Sequence, residues 1–553
     1  MNLTPLQQLI IDNRKSKHSI DLSQHHKLDF HGEMYKLSDM KEAGELIAKH
    51  VRVKAHIAHV HDYDCDGINS GVVLYKGFTK QLGHDNNTMF CNKRKDGNGI
   101  NDILFERIAT VHKVNKIDLI VMADHGSSDE RNISRLVALG IEVCLTDHHT
   151  IPPDDYPKSA TVFVNPERAD NEIYLPISGC FVAFLVVVSA YEALRGSIDD
   201  IEVFNDLLPF VAITTISDVM ALNIPMNRAV CEVGFNEMNS LRNKLWLTFK
   251  KMFSINTTLD HVSVGFVIGP LINTGNRVGQ EDLAYSVLIS EDMETSTILI
   301  KEMIKFSNYR KKEQKKLFVE AELQLVDSPY HNCAVLVLET ELAIGGVIAG
   351  QICEAYSRPT VCFIDDGSGI LGGSARLSTP GLNIRDIFET IAAIDKDIFI
   401  RFGGHKQAAG CTIHKNKIDD FRRLLNEQIP VNDIKPVIHI DKTLKASEIT
   451  PSLVHEMDLF KPYGKEFDRP IFKTRLKLKY IMQFGNIVKF IFKDDTRDIE
   501  GIYFPNSFST FDNKFPKEYF ERDESLDVVF GLEFSNFAGS TTIQLKVIDV
   551  IKL

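Results

Sequence analysis

Three short apolar runs in the first half of this chain end the same way, in carboxylates and imidazoles, and that recurrence restricts the fold more than any other feature. Lys54-Ala-His-Ile-Ala-His-Val60 runs into His61-Asp62-Tyr63-Asp64-Cys65-Asp66-Gly67; Ile117–Ala123 runs into Asp124-His125-Gly126; Ile141–Thr146 runs into Asp147-His148-His149. Short apolar runs that alternate with helical patterns predict a parallel α/β sheet. The carboxyl ends of such strands form the crevice where ligands bind. Acids on a buried strand would be costly, whereas acids at three strand tips can converge. The pattern predicts one metal cluster.

The candidate strands are 55–60, 117–123, 141–146 and 161–164, with helices near 68–82, 129–139, 179–194 and 206–217. Residues 1–50 read as a helical lead-in, and 51–285 as the first α/β domain. From 286 to 326 the sequence lacks Gly and Pro and is rich in Lys, which predicts one long linking helix. A second α/β domain follows over 327–429, with strands at Cys333–Leu338 and Thr360–Ile364 around a helix ending at Tyr356. Beyond Pro430 the composition shifts: Phe472–Lys552 is rich in Phe, Ile, Val and Thr, which predicts a small β-barrel of about five strands, an OB-fold, in a last domain over 430–553.

At 553 residues, about three or four domains are expected. The nine cysteines are scattered and include no Cys-x-x-Cys pair, so neither a zinc ribbon nor a disulfide framework is indicated, which fits a reducing, cytoplasmic setting. Met1–Ile11 lacks the basic start of a signal peptide. Cys180–Val188 is too short to span a bilayer and reads as a buried helix, so no membrane is expected. A net charge of −12 argues against nucleic acid only in the aggregate. Lys93-Arg94-Lys95 and the run Lys301, Lys305, Arg310, Lys311, Lys312, Lys315 and Lys316 are basic clusters, each of which also reads as a solvated face.

Asp62, Asp64 and Asp66 alternate on a turn closed by Gly67, which aims several carboxylates at one point. A calcium loop would share that spacing, but the later glutamate of an EF-hand is missing and a strand precedes the turn. Asp218, within Ile213-Thr-Thr-Ile-Ser-Asp218, is an acid among apolar neighbours and needs a partner or a metal. Carboxylates with imidazoles favour Mn2+ or Mg2+, and two such ions are a standard arrangement for displacement at phosphorus. Gly403-Gly404-His405 lets the backbone approach a phosphate closely, although a glycine turn beside a packed histidine reads equally well.

The order Asp-Tyr-Asp-Cys-Asp-Gly, Asp124, Asp-His-His, Ser-Asp218 resembles the DHH phosphoesterase superfamily, and Gly403–Gly410 resembles the signature of its DHHA1 partner domain. Gly269–Gly279, Gly345–Pro359 and Pro462–Phe472 narrow the resemblance to RecJ-type exonucleases, over about 51 to 553. It implies two α/β domains joined by a long helix, with an OB domain completing a ring around single-stranded DNA. It implies that Asp64, Asp66, Asp124, His148 and Asp218 hold two Mn2+ or Mg2+ ions, with Asp124 as the bridge. Asp62 would lie beside them as a catalytic residue, and His149 would face the scissile phosphate. Ser374 and Arg376 would hold a 5′-terminal phosphate with Gly403, Gly404 and His405, and Arg277 would be a further phosphate contact. Whether Lys93 or Arg94 replaces an arginine usual in the family is left open, and the usual Trp-His is here Leu342-Ala343-Ile344.

The implied activity is 5′→3′ hydrolysis of single-stranded DNA to 5′-mononucleotides, in recombination and repair. A single-strand binding protein or a helicase would be its partner. The alternatives are a phosphodiesterase acting on short oligonucleotides (nanoRNA) or cyclic dinucleotides, and a scaffold protein that keeps the fold without the chemistry.

Overall fold

Five strands build the first sheet: β1 (Ile57–His61), β2 (Asn87–Cys91), β3 (Leu119–Ala123), β4 (Glu142–Thr146) and β5 (Val162–Val164). They lie in the order β2-β1-β3-β4-β5, every pair parallel. β1 and β3 are buried throughout, as strands covered by helices on both faces must be. That explains how β1 tolerates His59 and His61. Burial drives both imidazoles to the neutral form, His59 to about 3 and His61 to about 4. In the computed structural model the chain is described over residues 3–15, 30–97, 99–152, 155–240, 242–379, 381–404, 406–430, 438–485, 487–494, 497–504, 515, 519–537 and 540–552.

β2 does not stand out in the sequence. It is an edge strand whose Asn87, Thr88 and Met89 are only partly buried, so it shows no apolar run. The helix Gly179–Arg195 does stand out: residues 179–190 are all buried. Each fully buried Val, Leu or Phe there stabilises the fold by roughly 1.5–3 kcal/mol. The helix Met40–Arg52 packs on it, with Gly44 against Ser189. Residues 40–52 are therefore part of the first core and not a lead-in to it. Among the described residues no helix is long and apolar enough to cross a membrane.

The long helix begins later than its composition indicates. Glu281–Ile289 is a separate helix, Ser290 is extended, and the long helix spans Met293–Asp327. The break has local causes: the Asp292 side chain accepts from Thr295 N at 2.8 Å, and Lys76 reaches Glu291 at 3.0 Å. Of the basic run on this helix the lysines are exposed, but Arg310 is buried and donates to Gln314 at 3.0 Å.

The chain divides into two compact units, the first containing residues 11–307 and 460–469, the second residues 3–10, 308–459 and 470–553. The second unit holds a mixed sheet of β6 (Ala334–Glu339), β7 (Thr360–Asp365), β8 (Ile370–Arg376), β9 (Arg401–Gly404) and β10 (Ala408–His414), in the order β6-β7-β8-β10-β9. Phe363, Phe388 and Phe421 centre its core. After the two-residue β11 (Lys442–Thr443) come β12 (Phe472–Phe484), β13 (Ile487–Lys493), β14 (Asp498–Tyr503), β15 (Ser525–Phe537) and β16 (Ser540–Lys552). β12 pairs with both β13 and β15, so the last five strands close into the expected barrel.

Candidate metal centre

The strand order reverses between β1 and β3, and the acidic tips of β1, β3 and β4 all lie on the carboxyl side of that switch point. Asp64 caps the helix Cys65–Lys76, its Oδ1 accepting from Asp66 N at 2.9 Å and Gly67 N at 3.1 Å. The cap fixes the turn so that alternate acids face inward. Asp66, 2% exposed, accepts from Gly179 N at 2.7 Å and Cys180 N at 3.0 Å. Those are free N–H groups at the start of the helix Gly179–Arg195, where a helix favours negative charge. Burial and the neighbouring Asp64 outweigh that help, and Asp66 is raised to about 7.

Asp124 follows β3 at φ +65°, a left-handed conformation that a side chain rarely adopts. Its Oδ1 is buried and makes no hydrogen bond, although His148 Nε2 stands 3.3 Å away. An orphaned buried carboxylate oxygen is costly, and a cation would satisfy it. Burial, then the charges of Asp66, Asp64 and Asp62, push Asp124 well above the usual carboxylate range. Asp218 ends the helix Leu208–Ser217 and is raised well above that range by burial, Asp66 and Asp64, with His149 and Lys465 opposing. Asp62 is raised to about 6, by burial and then by Asp64.

The two histidines of the triplet do different things. His148 Nε2 faces Asp124, Asp66 and Asp218, at 3.3, 3.6 and 3.7 Å. His149 turns outward with half its side chain exposed, and its Nδ1 lies 2.8 Å from Asp147 Oδ1. Asp147 is buried; its Oδ1 also accepts from His148 N at 2.7 Å and its Oδ2 from Ser127 N at 3.0 Å. Burial opposes charge on both partners of this pair, but their attraction wins. His149 rises to about 10 and Asp147 falls well below the carboxylate range.

Ligand atoms converge within 4.8 Å of one another in three groups: Asp62, Asp64 and Asp124; Asp66, His148 and Asp218; and Asp124, His148 and His149. Asp124 belongs to two of them. Oxygen donors with one or two imidazoles and no thiolate fit Mn2+ or Mg2+. The cluster therefore brings together Asp62, Asp64, Asp66, Asp124, His148, His149 and Asp218. Gly179 and Cys180 are part of it too, through their N–H groups on Asp66, and sequence reasoning missed them. The apolar helix was visible in the sequence, but the approach of its first residues to Asp124 and Asp66 was not.

Lys93 and Arg94 separate. Lys93 Nζ lies 2.5 Å from Asp282, whereas the Arg94 guanidinium stands 5.5 Å from the Tyr63 ring, within the acidic turn. Arg277 ends the short helix Thr274–Arg277 and is partly buried. In the second unit, Ser374 and Arg376 pair across β8 and β10 with Gly410 and Ala408, and Gly403 and Gly404 lie on β9 beyond them. Arg376 reaches the first turn of the helix Gly345–Tyr356: a Cβ built on Gly346 would lie 2.9 Å from Arg376 Nη2 and 3.4 Å from Ser374 Oγ. A helix start, an arginine fork and a hydroxyl thus lie side by side, groups of the kind that can bind a phosphate. His405 lies outside the described residues.

The raised carboxyls predict a pH dependence. Unfolded, they ionise near 3.8; folded and without metal, Asp62 ionises at about 6 and Asp66 at about 7. Between these limits the folded state binds more protons, so stability falls as pH rises. His149, ordinarily 6.5 and raised to about 10, adds stability below 6.5 that is lost as pH climbs through 10. Both trends run the same way. The melting temperature of the metal-free chain is expected to fall as pH rises through 7, and the increase given by added Mn2+ to grow over the same range. An Mn2+ effect that ignores pH would mean the ion binds elsewhere.

A family model described as "DHH family, N-terminal domain" matches residues 56–214, a DHHA1 domain matches 332–430, and a RecJ OB domain matches 440–549. The chain is 27% identical over 464 residues to the single-stranded-DNA-specific exonuclease RecJ of Salmonella typhimurium, covering 80% of this chain and 78% of that protein. The corresponding protein of Escherichia coli is 26% identical over 465 residues, covering 80% and 78%. A crystal structure of RecJ in complex with Mn2+ from Thermus thermophilus shares the fold, with a TM-score of 0.78 at 22% identity, covering 100% of this chain and 76% of that one.

Proposed function

We propose that this chain, which belongs to the RecJ group of DHH and DHHA1 domain proteins, is a metal-dependent exonuclease that degrades single-stranded DNA from its 5′ end to 5′-mononucleotides. The observation that carries the reading is the convergence of acid and imidazole ligands, Asp124 shared, at the switch point of a parallel sheet. Asp62, Asp64 and Asp124 would hold one Mn2+ or Mg2+ ion, and Asp66, His148 and Asp218 a second, with Asp124 between them. Such ions supply positive charge to a phosphoryl group and to the attacking water. The residues themselves do the rest. Asp147 takes the Nδ1–H of His149 and leaves Nε2 as the atom that can face the scissile phosphate and donate to its charge.

Arg94, whose guanidinium stands 5.5 Å from the Tyr63 ring, and Arg277 would guide the strand, while Lys93 is paired with Asp282. Ser374, Arg376, Gly403, Gly404 and His405 would take the 5′-terminal phosphate. A domain of the OB class is suited to binding a polymer, which favours a long strand over nanoRNA or a cyclic dinucleotide. A single-strand binding protein or a helicase is the kind of partner such an enzyme would work with. A cytoplasmic location goes with that substrate.

With Mn2+ or Mg2+, single-stranded DNA labelled at its 5′ end is expected to lose the label as a mononucleotide before the body of the strand shortens. A 3′-labelled strand should shorten progressively. Cleavage of a dinucleotide or cyclic dinucleotide alone would replace the exonuclease reading with the phosphodiesterase one. Inactivity on all of them would leave a scaffold.

A further inference from the structure

Arg228 is 1% exposed and serves no part of the chemistry described so far. Its guanidinium donates to three consecutive main-chain carbonyls: Phe460 at 3.1 Å, Lys461 at 2.9 Å and Pro462 at 3.0 Å. It also lies 4.1 Å from the centroid of the Phe467 ring. Burying a guanidinium is expensive unless hydrogen bonds satisfy it. One spent on carbonyls holds the shape of a backbone segment. That segment, Phe460–Arg469, belongs to the first unit, although the helix Pro451–Asp458 before it and β12 after it belong to the second.

The segment in turn holds the loop that begins at Asp218. Leu222 N donates to Lys465 O at 2.8 Å. A Cβ built on Gly464 would lie 2.8 Å from Leu222 Cδ1, so the two surfaces are in close contact. Asn227, next to Arg228, donates to Ala221 O at 3.0 Å. Val219, between Asp218 and this junction, sits at φ +55°. A β-branched residue keeps that conformation only when its surroundings enforce it. The metal ligand Asp218 thus stands at the end of a short chain of contacts: Arg228, the Phe460–Lys465 backbone, Leu222, then the strained turn.

We propose that Arg228 is a positioning residue, which fixes the Phe460–Arg469 segment so that this segment holds the Asp218 carboxylate in place for a cation. Asp218 groups with Asp66 and His148 and not with Asp62 and Asp64, so the effect falls on one of two cation sites. The inference rests on the two-metal reading above.

The test is Mn2+ titration of the full-length chain, followed by electron paramagnetic resonance and calorimetry, with thermal melts as the check on folding. The wild type is expected to bind two Mn2+ ions. Arg228→Met and Arg228→Lys, which keeps the charge but not the fork, are expected to weaken one of them by about 10- to 100-fold, the range seen when groups supporting a metal ligand are removed. On single-stranded DNA they should lower kcat and leave KM unchanged. Gly464→Val, which crowds Leu222 and leaves Arg228 intact, should weaken the same site and decides the matter if the Arg228 variants do not fold. A folded variant that keeps both Mn2+ affinities, or loses both equally, overturns the proposal. A wild type that binds no Mn2+ sinks the two-metal reading, and this inference with it.

Discussion

Asp124→Ala is expected to cut kcat on single-stranded DNA by on the order of a thousandfold to ten-thousandfold, and to abolish tight Mn2+ binding at both sites, while the chain stays folded. The factor follows from the several kcal/mol of charge stabilisation that bound cations give a phosphoryl transition state, at about 1.4 kcal/mol per tenfold. Asp124 groups with Asp62 and Asp64 and also with His148 and His149, and its Oδ1 lies 3.3 Å from the His148 Nε2 that faces Asp66 and Asp218, so its loss strikes both. The opposite is expected of stability. In the metal-free chain this carboxylate is buried, unbonded at Oδ1 and surrounded by Asp66, Asp64 and Asp62. Removing it relieves repulsion, so the metal-free variant should melt higher than the metal-free wild type, and Mn2+ should add little. A site built for catalysis carries such strain at the expense of stability. Normal turnover by Asp124→Ala would place the chemistry elsewhere. Normal Mn2+ affinity with lost turnover would make Asp124 a catalytic group and not a shared ligand.

Much of the centre could be read in the sequence because its residues break a local rule. Carboxylates and imidazoles at the ends of apolar strands are poor core material, and Asp62, Asp64, Asp66, Asp124 and His148 are conspicuous for that reason; Asp218 is conspicuous as an acid among the apolar residues at the end of a helix. The barrel and the first two strands of the second sheet were legible through apolar runs of the right length, whereas β8, β9 and β10 carry glycines in place of such runs. Three things were hidden, each for a physical reason. β2 lies at a sheet edge and needs no apolar run. The helix break at Ser290 is set by a side-chain cap and by lysines of another helix, which no window of sequence contains. Arg228 reads as an ordinary polar residue of a helix, and its burial against Phe460–Pro462 follows only from tertiary packing. Gly179 belongs to the same class, with the larger consequence.

Gly179→Ala is expected to lower kcat by about a hundredfold or more, the usual cost of moving a reacting group by about an ångström, without unfolding the chain. By helix propensity alone the change should be favourable, since alanine gains up to about 1 kcal/mol over glycine inside a helix. Geometry opposes it. An added Cβ would lie 2.4 Å from Asp124 Oδ1 and 2.8 Å from its Cβ, well inside contact distance. Asp124 cannot easily yield, because its backbone is already in the left-handed region and its N–H is bonded to Thr146 O at 3.0 Å. The helix start cannot easily retreat either, because Gly179 N and Cys180 N hold Asp66. Whichever gives way, a ligand moves: Asp124 if the carboxylate turns, Asp66 if the helix shifts. The two outcomes differ in their Mn2+ titrations. Displacing Asp124 weakens both cation sites, whereas displacing Asp66 weakens only the site it forms with His148 and Asp218. A variant with wild-type turnover and both Mn2+ affinities intact would mean that the close approach of this helix to the acids has no part in the chemistry. The glycine would then serve only to pack the core.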